Sequence, residues 1–191
     1  MSADGSFLAA AGIEGTVYIW KIGEKGSPKA LPGHPKHVHA IAFLPDNRTV
    51  VSAGEDGGLR FWDGEKGTAQ GGIPADHRHA HNITIAPDGK TMFAASSGKG
   101  VKRWTLPDRK EQPPLEGSGR VRGVAVSSDS RTLATVHEDG DVKVWDAESG
   151  KLLGALKGHQ KVVLAVAFSP DGTFATAGAD GTVKRWRVPV K

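Results

Sequence analysis

Residues 157–186 read KGHQKVVLAVAFSPDGTFATAGADGTVKRW. A Gly-His pair (Gly158, His159) precedes an apolar run from Val162 to Phe168, and a Pro-Asp-Gly turn (Pro170 to Gly172) leads into a second run, Phe174 to Ala177. An Asp-Gly turn (Asp180, Gly181) then opens a third run that ends on Trp186. Short apolar runs between Gly, Pro and Asp signals read as antiparallel strands joined by tight turns.

Outward from this stretch the chain repeats it. Trp20, Trp62, Trp104, Trp145 and Trp186 stand 42, 42, 41 and 41 residues apart and are all the tryptophans present. An aspartate lies 15 or 16 residues before each: Asp4, Asp46, Asp88, Asp129 and Asp171. A period near 40 with strand-sized pieces is the pattern of propeller blades, each of which buries its faces only against its neighbours. The predicted repeats are 1–32 (partial), 33–74, 75–115, 116–156 and 157–191 (partial), in one domain spanning 1–191. SADGSFLAAAGIEGTVYIW aligns with SPDGTFATAGADGTVKRW, so the first blade is expected to lack its inner strand. The last is expected to lack its outer one. The expected strand counts are therefore three, four, four, four and three.

The innermost strands should be buried on both faces, as the nearly continuous apolar runs VHAIAF and VVLAVAF suggest. Their apolar anchors fall three apart (Val38 and Ile41, Val163 and Val166), which breaks strict alternation and predicts a β-bulge between them.

Gly158-His159, Ser169-Pro170-Asp171-Gly172 and Trp145-Asp146 together resemble the marks of WD40-repeat β-propellers, over essentially the whole chain. The resemblance implies an all-β propeller in which a His, a Ser or Thr, an Asp and the Trp of one blade form a hydrogen-bonded chain. It places that chain on His34, Ser52, Asp56 and Trp62, and again on His159, Thr176, Asp180 and Trp186. Other repeats depart from it. The fourth keeps Thr135, Asp139 and Trp145 but has Gly117 in the His place; the third offers His77 with Ala94 and Gly98; the first has Ala10 and Glu14. The second and fifth blades are thus expected to be the most rigid. The regular Pro-Asp-Gly turns are also similar to those of bacterial WD-repeat proteins that form part of longer multidomain chains.

Composition narrows the function classes. With 38% apolar residues and 26 glycines the chain suits an all-β fold, and its 191 residues can bury a real core. It has no cysteine, which excludes disulfides and thiolate metal sites. A net charge of +4 with 21 acidic residues permits acidic partners without forming a nucleic-acid footprint, and no aromatic platform accompanies the basic residues. No signal peptide or membrane span is expected, and a cytoplasmic location follows as the expectation. Phosphate loops fail on inspection, since Gly98-Lys99 and Gly150-Lys151 lack the upstream Gly and following Ser or Thr. No nucleophile elbow, zinc helix motif or calcium loop is present, so no enzyme activity and no cofactor are expected.

The non-random polar cluster is histidine. Six of eight histidines fall in two windows, His34, His37 and His39, then His77, His79 and His81. Strand residues two apart share a face, which pairs His37 with His39 and His79 with His81. Arg120 and Arg122 take those places in the fourth repeat, and Val162 and Leu164 in the fifth. The resemblance puts these positions at the top mouth of the central channel, where such propellers usually bind partners, with Glu55, Ser97, Glu138 and Ala179 on the same rim. Three readings compete: a solvated rim without a ligand, a docking surface for an acidic peptide or protein segment, and a divalent metal site across blades two and three with Glu55 or Asp76 as its carboxylate. Because an ordinary imidazole gains charge near pH 6.5, docking should strengthen as pH falls toward 6.

The expected function is a non-catalytic protein-interaction scaffold that binds peptides or proteins at the top face. The alternatives are a structural portion of a larger multidomain propeller with no independent ligand, or a metal-binding His rim. Open sheet edges on the incomplete blades predict self-association. Arg103 and Arg185, which precede their tryptophans, are expected to pack along the blade face with their heads at solvent or to mark a partner surface.

Overall fold

The computed structural model describes residues 1–74, 80–96 and 100–188, and among them there are eighteen strands and no helix. The first sheet holds β1 (Phe7–Ala11), β2 (Thr16–Lys21) and β3 (Lys29–Pro32). The second holds β4 (Val38–Phe43), β5 (Thr49–Gly54), β6 (Leu59–Asp63) and β7 (Thr68–Ile73). The third comprises β8 (Ala80–Ile85), β9 (Thr91–Ser96), β10 (Gly100–Thr105) and the short β11 (Glu111–Gln112). The fourth comprises β12 (Val121–Val126), β13 (Thr132–His137), β14 (Val142–Asp146) and β15 (Leu152–Leu156), and the fifth β16 (Val163–Phe168), β17 (Phe174–Gly178) and β18 (Val183–Trp186). Each sheet is an antiparallel meander in sequence order, with the predicted three, four, four, four and three strands.

The repeated aspartates explain why the chain turns where it does. In every repeat the carboxylate that precedes the Trp by 15 or 16 residues accepts the backbone N–H two residues on: Asp4 from Ser6 (3.0 Å), Asp46 from Arg48 (2.9 Å), Asp88 from Lys90 (3.0 Å), Asp129 from Arg131 (3.0 Å) and Asp171 from Thr173 (2.9 Å). This local bond gives the backbone a satisfied alternative to the ladder and so ends a strand. Between β2's turn and the next sheet the fit is tight enough to demand glycine. Gly15 has φ +82°, and a Cβ there would lie 1.9 Å from the His34 carbonyl oxygen.

The bulge predicted from anchor spacing occurs in all four inner strands. Pairing slips between Val38 and Ala40, Ala80 and Asn82, Val121 and Gly123, and Val163 and Ala165. The residues skipped are His39, His81, Arg122 and Leu164. One extra residue on each inner strand therefore stands at the same place in four consecutive sheets.

Sheets stack by their faces. Between successive sheets, the leading face of one packs on the trailing face, carrying the Trp, of the next. Ala9, Val17 and Ile19 of the first sheet meet Val50 and Trp62 of the second. Val51, Leu59 and Phe61 of the second meet Met92 and Trp104 of the third. Phe93 and Val101 of the third meet Leu133 and Trp145 of the fourth, and Ala134, Val142 and Val144 of the fourth meet Phe174 and Trp186 of the fifth. Trp62, Trp104 and Trp145 are consequently 3%, 1% and 1% exposed, as indoles sandwiched between sheets should be. Among the described residues no core joins the first sheet to the fifth.

Candidate functional site

Two side-chain chains fall where the sequence places them. In the second sheet Trp62 Nε1 donates to Ser52 Oγ (2.8 Å), Ser52 Oγ lies 2.7 Å from His34 Nε2, and His34 Nδ1 lies 3.0 Å from Asp56 Oδ1. In the fifth, Trp186 Nε1 donates to Thr176 Oγ1 (2.8 Å), which lies 2.7 Å from His159 Nε2, while His159 Nδ1 is 3.0 Å from Asp180 Oδ2. A neutral imidazole with its proton on Nδ1 satisfies every member: indole to hydroxyl, hydroxyl to Nε2, Nδ1–H to carboxylate. Burial pushes His34 below its ordinary value against the pull of Asp56. Burial alone would raise Asp56, but hydrogen bonds from His34, Arg60 and Gly58 outweigh it and hold the carboxyl low. The Gln160 N–H and the Thr182 hydroxyl hold Asp180 well below the carboxylate range.

The fourth sheet corrects the expectation that Gly117 leaves it without an imidazole. His137, at the end of β13 and 2% exposed, supplies one from a different strand. Its Nε2 lies 2.7 Å from Thr135 Oγ1, which accepts the Trp145 indole N–H at 2.9 Å. Asp139, the expected carboxylate, instead accepts the Asp141 N–H at 3.0 Å, and the Ser118 backbone bonds the histidine. The signal was in the sequence: strand residues two apart share a face, so His137 points where Thr135 points. Burial, reinforced by Lys143, lowers its pKa to about 4.

The rim residues form one surface around the bulges. The Glu55 N–H donates to the His37 carbonyl (2.7 Å), the Glu138 N–H to that of Arg120 (3.2 Å) and the Ala179 N–H to that of Val162 (2.8 Å), so three sheets tie the two rim segments together identically. His37 Nδ1 lies 3.4 Å from Glu55 Oε2, with Lys36 at 4.0 Å from the other oxygen. Glu138 takes Arg120 at 3.4 Å and Arg122 at 3.0 Å. His39 meets His81 of the next sheet with ring centroids 5.6 Å apart, and His37 lies 6.3 Å from His39. Leu164 is 57% exposed. Glu55 and Glu138, which the sequence reading places on this rim, thus already have Lys36 and His37, and Arg120 and Arg122, beside them. His77, His79, Asp76 and Ser97 lie outside the described residues. Among the described residues no group of three or more His, Asp or Glu is placed to hold a metal ion, and no helix is long and apolar enough to cross a membrane.

Arg103 departs from its expected solvent-facing pose. Its head is buried, donating to the carbonyls of Pro113 (2.9 Å), Glu148 (2.7 Å) and Ser149 (3.0 Å), the last two on the neighbouring fourth sheet. Arg103→Met should cost only about 1–2 kcal/mol, because the desolvation of the guanidinium is recovered as its bonds are lost. Urea titration of the variant checks this; an unchanged midpoint would show that the clamp contributes nothing.

Stacked four-stranded meanders with an indole, hydroxyl and imidazole chain define a β-propeller of the WD type. The WD40 family (WD domain, G-beta repeat) matches at residues 1–21, 26–63, 110–146 and 150–187. That is well over half the sequence, and the chain belongs to this family. No curated protein matches it. Among solved structures, the crystal structure of the computationally designed Ika8 protein is similar, with a TM-score of 0.83 and 28% identity. The match covers 96% of this chain and 56% of that one, so this chain spans little more than half its length.

Proposed function

We propose that the chain is a non-catalytic scaffold that docks an acidic, partly apolar peptide or protein segment across its bulged rim. The observation that carries this is the bulge itself. It recurs in four inner strands and presents His39, His81, Arg122 and Leu164 at one mouth, although a regular ladder would cost less pairing. A bulge repeated at one end of the molecule suits a surface shaped for contact. Arg120 and Arg122 offer charge-assisted donors beside an exposed leucine.

Glu138 competes for those donors, and it makes the reading testable in both directions. A fluorescent glutamate-rich peptide with one central leucine is titrated by anisotropy. Arg122→Ala should weaken binding about tenfold, the equivalent of one charge-assisted bond. Glu138→Gln should strengthen it by releasing both arginines. Equal affinity of all three proteins, or equal binding of a lysine-rich peptide, would defeat the proposal.

A further inference from the structure

Every leading face but one and every trailing face but one is covered by another sheet. The exceptions are the leading face of the fifth sheet and the trailing face of the first. Val183 on β18 is 75% exposed, whereas the residues at its place in the other four sheets, Val17, Leu59, Val101 and Val142, are 0%, 1%, 0% and 0% exposed. Ala165 and Ala167 beside it are also exposed. At the other end Leu8 is 41% exposed against 0% for its equivalents Val50, Met92 and Leu133, and Ile22 is 52% exposed where its equivalent Ala147 is 3%. Trp20, beside Tyr18, is only half-buried, unlike the tryptophans of the three central sheets.

We infer that these two faces pair with each other between copies of the chain, head to tail, repeating the contact that already joins sheet to sheet four times within it. The argument is continuity with that internal interface. What covers a leading face in this molecule is always a trailing face carrying a Trp, a bulky apolar residue at the Leu8 place and a turn just beyond the Trp. The first sheet presents all of these, with Trp20, Leu8 and the turn at Ile22 to Glu24.

Arg185 supplies a second, independent match. It occupies in the fifth sheet the position of Arg103 in the third, whose guanidinium crosses to the carbonyls of Glu148 and Ser149 in the turn after Trp145. With no sheet against it in this structure, Arg185 lies back on its own sheet, at 2.8 Å from Asp171 Oδ2 and 3.2 Å from Thr173 Oγ1, and stays exposed. The turn that corresponds to 147–149 in the first sheet is 22–24. In the pair, Arg185 of one copy reaches the carbonyls of Gly23 and Glu24 of the other, and Val183 with Ala167 covers Leu8, Trp20 and Ile22. Such a contact joins two different surfaces, so it can add copies until a ring closes. It does not involve the rim and stands whether or not the rim docks a peptide.

Two variants with one face blocked each test it. Val183→Glu spoils the leading face and Leu8→Glu the trailing one; both sites are exposed in the single chain, so both proteins should keep the wild-type circular dichroism spectrum. Sedimentation equilibrium of the wild type should show a mass that climbs above one chain with concentration, and each variant alone should stay at one chain. Mixed, they should form a dimer of one copy of each and nothing larger, because only one complementary pair of faces survives. Should either variant fold poorly, Ala167→Glu and Ile22→Glu replace them. A monomeric wild type, self-association by either variant alone, or a mixture that remains monomeric would overturn the proposal.

Discussion

Thr135→Val should destabilise the protein by about 3 kcal/mol, although it exchanges a hydroxyl for a methyl of nearly the same size. The hydroxyl is the middle of a three-member chain, accepting from Trp145 Nε1 at 2.9 Å and bonded to His137 Nε2 at 2.7 Å. Trp145, Thr135 and His137 are 1%, 0% and 2% exposed, so no water can replace it. Valine orphans a donor and an acceptor together, and a buried polar group left unpaired costs about 1–3 kcal/mol each. The matching change in the fifth sheet, Thr176→Val, should cost about half as much. Trp186 there is only half-buried and its indole can turn toward solvent. Urea midpoints of the two variants, at a common slope, measure the difference. Equal losses would mean that the hydroxyl contributes through packing rather than through the chain.

The fold was legible because its causes are local. Tryptophan spacing set the sheets, aspartates at fixed offsets set the turns, and anchors three apart in VHAIAF and VVLAVAF set the bulges. Each of these acts within a few residues. The side-chain chains of the second and fifth sheets were legible for the same reason, since all their members sit at family positions. What escaped depends on what lies across a gap. His137 could be placed beside Thr135 by strand alternation, but only the contacts of Thr135 Oγ1 with its ring and with the Trp145 indole show that it supplies the missing imidazole. Arg103 looked like a solvent-seeking cation until the turn at 147–149, which belongs to a repeat more than forty residues on, came to rest against its head. Of the rim residues, His37, His39 and His81 lie near one another, as do Arg120 and Arg122 beside Glu138, while His79 lies outside the described residues. Their repeat position already put Glu55 and Glu138 on the rim, but that each carboxylate pairs with the basic side chains beside it depends on the bonds that bring the two rim segments together.

Stability should fall between pH 6.5 and 4, and His137 should account for a large share of the loss. Its imidazole is held neutral by burial and by Lys143, with Asp139 and Asp141 as the nearby charges that oppose the shift; folding lowers its pKa from an unfolded value near 6.5 to about 4. Between those two values the unfolded chain binds a proton that the folded chain refuses, so acid favours unfolding. The contribution is fully present above pH 6.5 and is spent once pH has fallen through 4, amounting to about 3 kcal/mol over the window. Protonation would also reverse the chain: Nε2 becomes a donor, and the Thr135 hydroxyl must then accept from both ring and indole and turn its own proton toward the Lys143 carbonyl, 3.5 Å away. His34 shifts in the same direction and adds to the slope in every variant that retains it. His137→Gln isolates the one site, because the amide oxygen can still accept from Thr135 while nothing there titrates. Its unfolding free energy should lie below that of the wild type at pH 7 and converge on it as pH approaches 4. Parallel curves from pH 7 to 4 would show that the buried histidine carries no acid lability and that the sensitivity arises elsewhere.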